Sequence, residues 1–236
     1  MPHSQFDAII TYVAKTSYFN LQDRPMFKIF FGILCIFFVL NAQDMVDKQI
    51  SQEIQKPQDP ISVCTPCHGS DGNNINPTIP RLAGQYQSYL ATQLYEFKKG
   101  EQGLRYNTLM YPIAQALTDK NIESLAEYYA QQKKVPSQAE KRNDLRLGER
   151  IYKGGIAQKN ITACSACHSP TGAGNDLYKV PSLAGQHSEY ISIQLKNYRD
   201  GARKHPVMSS VAHRLSDVEI AAVSNYLQGL TANTTQ

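Results

Sequence analysis

What this chain has little of narrows its chemistry. It holds five cysteines in 236 residues. Four sit in two short motifs and the fifth, Cys35, lies in a strongly apolar run near the N-terminus, so none remains for a structural disulfide. Clustered basic residues are absent. The net charge of +4 is modest and dispersed, which removes the electrostatic footprint of a nucleic-acid binder. The apolar run at residues 29–40 is twelve residues long, short of the roughly twenty that a membrane-spanning helix requires. No segment keeps the apolar–polar alternation of a half-buried strand, so the expected class is all-α.

The cysteines that are present carry the strongest signal. Cys64-Thr65-Pro66-Cys67-His68 and Cys164-Ser165-Ala166-Cys167-His168 repeat one five-residue pattern at a separation of 100 residues. Two thiols three positions apart can each add across a haem vinyl group, and the histidine that follows reaches the iron from the proximal side. The expected cofactors are therefore two covalently bound haem c groups, held by Cys64 and Cys67 and by Cys164 and Cys167. A single Cys-x-x-Cys also suits a zinc knuckle or a thioredoxin-like redox pair. Two copies, each followed at once by histidine and each heading a similar stretch, favour haem.

The duplication extends well past the motifs. Pro80-Arg81-Leu82-Ala83-Gly84-Gln85 matches Pro181-Ser182-Leu183-Ala184-Gly185-Gln186, and Tyr89, Leu90, Gln93, Leu94, Phe97 and Gly100 match Tyr190, Ile191, Gln194, Leu195, Tyr198 and Gly201 at an offset of 101. The spacing of the apolar members predicts one face of a helix ended by glycine. Met110, Leu117, Asp119, Ile122 and Tyr128 then match Met208, Leu215, Asp217, Ile220 and Tyr226 at an offset of 98. Closing helices are expected from Thr118 and from Ser216, where Ser216-x-x-Glu219 reads as a capping box. Each half is thus a haem motif on an early helix, a glycine-rich loop, a middle helix, a loop carrying methionine and a final helix. The expected organisation is an N-terminal extension and signal at 1–42, a first domain at 43–135, a charged, proline-broken linker at 136–144 and a second domain at 145–236. Domains of about 90 residues bury little of their own surface, and a fixed haem would complete each interior.

The second axial ligand follows by elimination. Of the five methionines, Met1, Met26 and Met45 precede the first motif, which leaves Met110 and Met208, about forty residues after His68 and His168. His68 is the only histidine of the first domain, so a second histidine ligand is excluded there unless another domain lends a side chain. His187, His205 and His213 lie in the second half; symmetry favours Met208, which makes these three surface or helix histidines, with His205 adjacent to the ligand segment. Thioether coordination raises the reduction potential, and a filled sixth position leaves no open site for oxygen or peroxide. That points to outer-sphere electron transfer, not to an enzyme.

Near the N-terminus, one lysine followed by the run at 29–40 and a small residue at Ala42 is signal-peptide anatomy, with the signal at about 26–42 and Met26 a candidate initiator in place of Met1. Charge is uneven. Residues 43–135 hold nine basic and ten acidic residues, a net of −1, and residues 145–236 hold ten and six, a net of +4. The resulting dipole could orient the protein toward a charged partner.

These residues together resemble the dihaem cytochrome c4 family. The resemblance covers about residues 60–230 and rests on both Cys-x-x-Cys-His motifs, the two Leu-Ala-Gly-Gln segments and the Met-x-x-x-Ala stretches at 110–114 and 208–212. It implies two class I cytochrome c domains in a pseudo-symmetric pair, proximal His68 and His168, distal Met110 and Met208, and carbonyls of Pro80 and Pro181 that orient the histidines. It also implies a periplasmic carrier between a quinol:cytochrome c reductase and a haem-copper terminal oxidase, with peripheral membrane association allowed. Gly148 and Tyr152 fit the family's opening helix in the second half, whereas residues 46–50 offer no glycine in the first. Two other functions share parts of this pattern: the dihaem subunit of a dehydrogenase, such as a sulfide-oxidising flavocytochrome, and a dihaem peroxidase. The paired methionines speak against the peroxidase.

Overall fold

The computed structural model of the protein describes residues 60–140 and 144–231. The signal at 26–42, Cys35 and the first domain's opening stretch at 43–59 lie outside them. The described residues are helical and contain no β-strand, only isolated bridges such as Arg105 with Arg203. In the first half, α1 (Ile61–His68) carries the first motif, followed by α2 (Gln87–Lys98), α3 (Met110–Gln115) and α4 (Asp119–Ala130). The second half opens with α5 (Leu145–Gly154). It continues through α6 (Ser165–His168), which holds the second motif, α7 (Ser188–Asp200), α8 (Pro206–His213) and α9 (Asp217–Gly229).

The two cores are built from matched residues. Leu90, Leu117, Ile122, Leu125 and Tyr129 fill the first and Ile191, Leu215, Ile220, Val223 and Leu227 the second. The starts of α4 and α9 are fixed as the sequence predicts. Thr118 accepts from the Asn121 N–H and Ser216 from the Glu219 N–H, and in each case the third-position side chain returns a bond to the cap, so both form capping boxes.

α5 packs across α9 at Gly148. A Cβ built there would stand 2.1 Å from the Ala222 carbonyl oxygen, so only a residue without a side chain lets the backbones approach this closely. The same helix buries Tyr152 completely, and its hydroxyl donates to the carbonyl of Ser169, directly after His168, at 2.5 Å. The second motif is thereby tied to the helix pair.

One expectation is corrected here. The methionines do not sit on loops: Met110 opens α3 and Met208 lies in the first turn of α8. Pro206 at the start of α8 suits a helix N-terminus, where a missing N–H costs nothing. The stretch expected as a linker is strapped to the second half. The Glu140 N–H donates to Asn225 Oδ1 at 2.8 Å and Gln228 Nε2 donates to the Gln138 carbonyl at 2.8 Å.

Candidate haem sites and the seam between the halves

Both motifs place histidine inside and the second cysteine outside. His68 is 8% exposed and His168 7%, while Cys67 and Cys167 are exposed and Cys64 and Cys164 half-buried. None of the four is in a disulfide. Burial pushes the Cys164 thiol up to about 11. Among the described residues no three His, Cys, Asp or Glu side chains gather as a metal-ion cluster. A tetrahedral zinc site needs the opposite, with its thiolates and imidazole converging on one point.

The histidines are prepared alike. His68 Nδ1 lies 3.1 Å from the Pro80 carbonyl oxygen and His168 Nδ1 3.1 Å from that of Pro181. A carbonyl only accepts, so Nδ1 must carry the proton, and the lone pair is left on Nε2. Burial pulls both imidazoles below the ordinary histidine pKa, against the opposing effect of the prolyl carbonyls; Arg105 adds to the lowering at His68 and His205 at His168. A neutral ring of fixed tautomer with a free Nε2 is the form that binds a metal. These features fit covalent haem c.

The loop that carries each proline is anchored by one glycine carbonyl. Gly72 accepts from the Leu82 N–H at 2.8 Å and the Ala83 N–H at 3.2 Å; Gly172 accepts from Leu183 at 2.8 Å and Ala184 at 3.1 Å. Gly72 has φ +72 and Gly172 φ +74, and a Cβ on Gly72 would approach the Ala83 nitrogen to 2.8 Å. The Leu-Ala-Gly-Gln segments thus run where the motif loops hold them.

The methionines are both half-buried. Met208 packs on the second core, as does Cys164. Its N–H donates to His205 Nδ1 at 3.3 Å, so His205 caps α8 directly ahead of the candidate ligand. At the matching place the Met110 N–H donates to Asn107 Oδ1 at 2.9 Å. Of the remaining histidines, His213 is exposed on α8. His187 is not a surface residue: it is 6% exposed, and its Nε2 donates to the Asn74 carbonyl across the halves at 3.0 Å. Burial lowers its pKa, and Arg81 adds to the lowering against the Asn74 carbonyl. Tyr86 occupies the equivalent position in the first half, so this contact exists once.

Sequence reading assigned no role to a second set of residues at the seam between the halves. Arg105 and Arg203 are both buried, and each bonds both halves: Arg105 donates to Gln93 Oε1 at 2.7 Å and to the Tyr190 hydroxyl, Arg203 to the Tyr89 hydroxyl at 2.8 Å and Gln194 Oε1 at 2.9 Å. Arg105 stacks on Phe97 at 4.5 Å and Arg203 on Tyr198 at 4.6 Å, a desolvated cation–π arrangement. The signal was available, since Arg105 and Arg203 share the 98-residue offset of the methionines. Lys134 also crosses the seam, donating to Ser182 Oγ at 3.0 Å and the Ala184 carbonyl at 3.2 Å. Burial, with Arg81 close by, brings its pKa down to about 8.

Both halves of the chain are similar to known proteins. The family model described as Cytochrome c matches twice, over residues 61–133 and 147–231. A cytochrome c4 of Thiocapsa roseopersicina is 43% identical over 173 residues, 72% of this chain and 88% of that protein. The crystal structure of reduced recombinant cytochrome c4 from Pseudomonas stutzeri has a TM-score of 0.70 at 38% identity, covering 72% of this chain and 95% of that one. A protein of Stutzerimonas stutzeri (strain A1501) named thiosulfate dehydrogenase electron acceptor is 35% identical over 169 residues, 69% of this chain and 76% of its own length.

Proposed function

Given that the chain belongs to the cytochrome c family, as a dihaem electron carrier of the cytochrome c4 kind, we propose that it carries electrons in the periplasm from a quinol:cytochrome c reductase to a haem-copper terminal oxidase. Each bound haem c supplies an iron that takes up and returns one electron. Cys64 and Cys67, and Cys164 and Cys167, would hold the two groups as thioethers. His68 and Met110, and His168 and Met208, would ligate the two irons, with the Pro80 and Pro181 carbonyls orienting the imidazoles.

The observation that carries the ligand assignment is the pair of buried histidines, each fixed through Nδ1 to a prolyl carbonyl at 3.1 Å. Met110 and Met208 would supply neutral thioethers to the two irons, which would hold the potential high and exclude external ligands. Export is carried by the segment at 26–42. Among the described residues no helix is long and apolar enough to cross a membrane, and the reading needs none.

Carbon monoxide tests this. The absorption spectrum of the reduced protein is expected to stay unchanged on adding the gas, because neither iron offers a free position. A shifted band for either haem would overturn the assignment of two thioether ligands and bring a peroxidase-like role forward. One observation favours a second reading, in which the protein accepts electrons from a sulfur-compound dehydrogenase, namely the likeness to the thiosulfate dehydrogenase electron acceptor. A dehydrogenase that co-purifies stoichiometrically and reduces the protein on addition of its substrate supports this role over the oxidase route.

A further inference from the structure

The carbonyl that fixes each histidine belongs to a peptide group whose other end is held by the opposite half. Pro80 C=O and the Arg81 N–H are two ends of one peptide. The carbonyl accepts from His68 Nδ1 at 3.1 Å, and the N–H donates to Gln186 Oε1 at 2.9 Å. The same bonds recur at the other motif: Pro181 C=O accepts from His168 Nδ1 at 3.1 Å, and the Ser182 N–H donates to Gln85 Oε1 at 3.0 Å, while the Pro80 carbonyl additionally accepts from Asn74 Nδ2 at 3.2 Å. Each glutamine is locked by a return bond, Gln186 Nε2 to the Arg81 carbonyl at 2.9 Å and Gln85 Nε2 to the Ser182 carbonyl at 2.9 Å. Gln85 is 7% exposed and Gln186 9%, so water does not compete for these bonds.

A peptide is a conjugated unit. Donating its N–H to an acceptor moves electron density toward its oxygen and strengthens the bond the oxygen accepts. A stronger acceptor draws the histidine Nδ1 proton further off the ring and makes Nε2 a better donor to iron. We propose that Gln85 and Gln186 are cross-domain positioning residues, Gln186 setting the donor strength of His68 through the Pro80–Arg81 peptide and Gln85 that of His168 through the Pro181–Ser182 peptide. This rests on His68 and His168 being the iron ligands. It makes each haem's potential depend on the union of the two halves.

The test uses the full-length holoprotein with Gln186→Leu, Gln85→Leu and Gln186→Glu, read by NMR of the reduced form and by spectroelectrochemical titration. Gln186→Leu is expected to move the His68 Nδ1–H resonance upfield and raise the potential of the first haem, leaving His168 unchanged. Gln85→Leu does the reverse. Losing about 10–30% of one neutral hydrogen bond changes the electron partition between the haems about threefold, which is about 28 mV at 59 mV per tenfold for one electron. Gln186→Glu gives up the return bond to the Arg81 carbonyl but offers the Arg81 N–H a stronger, anionic acceptor, so it moves His68 Nδ1–H downfield; this sign also carries the test should the leucine variant not fold. Equal shifts in both halves, a shift in the glutamine's own half, or none would overturn the proposal. Haem ring-current shifts on the His68 and His168 ring protons in the unaltered protein report ligation separately. Their absence would defeat the ligand assignment, whereas their presence without a crossed shift defeats only the glutamine relay.

Discussion

Replacing Gly148 with alanine isolates the closest helix crossing in the second half. The added Cβ would lie 2.1 Å from the Ala222 oxygen, 2.7 Å from its carbonyl carbon and 2.9 Å from Tyr226 Cβ. Two of these three atoms are backbone of a buried helix, so neither can swing aside and α5 must lift by more than an ångström. Overpacking of this kind costs about 3 kcal/mol at the upper end of its usual range, and the helix propensity of alanine over glycine returns about 1 kcal/mol. The net loss is about 2 kcal/mol. Gly154, at the end of the same helix, has nothing within 4 Å of a built Cβ, so Gly154→Ala keeps only the propensity gain. Guanidinium unfolding of the two holoproteins, followed by far-ultraviolet circular dichroism, should place them about 3 kcal/mol apart, or about 6–12 °C in Tm for a chain of this size. Haem absorbance would verify equal loading. Variants within about 1 kcal/mol of each other would refute the close-approach argument.

Met110→Ala and Met208→Ala should each retain both haems but lower the potential of the altered one by on the order of 100 mV and make it bind carbon monoxide; unchanged potentials in both variants would sink the ligand assignment. Cys64→Ser or Cys167→Ser should leave one thioether at the altered site, seen as a red-shifted reduced band and a lower yield of covalent haem on denaturing gels. His187 carries a pH effect of definite sign. Its folded pKa lies below the ordinary 6.5, so its contribution is fully present above pH 6.5 and is lost as pH falls through the lowered value. Stability measured from pH 7.5 down to 5 should therefore drop more steeply in the natural protein than in His187→Gln, and parallel curves would exclude His187 as the cause.

Much of the haem chemistry was legible in the chain because it is local. Two thiols and an imidazole within five residues fall together on one helical turn whatever the rest of the fold does. Matched offsets of 101 and 98 residues made the repeat visible, and the capping box at Ser216 needs only a serine and a glutamate three apart. The box at Thr118 escaped the same pattern because asparagine replaces the acid. The methionines were located as residues but misplaced as loops: short helices such as α3, six residues long, are stabilised by packing more than by their own propensity, and their periodicity is too brief to read.

What the sequence alone determined is therefore the cofactor, the duplication and the helical class, each carried by contacts a few residues apart or by a repeat. Only the tertiary structure decided that His187 is buried against Asn74, that Arg105 and Arg203 knit the seam, and that Gln85 and Gln186 bind peptides 97 and 105 residues away in the chain. The Leu-Ala-Gly-Gln match marks those glutamines as repeated without saying what they hold. A glutamine amide has no period and no fixed partner. Which backbone group it meets is settled when the two halves exclude water from between them, and a buried amide must then find both a donor and an acceptor.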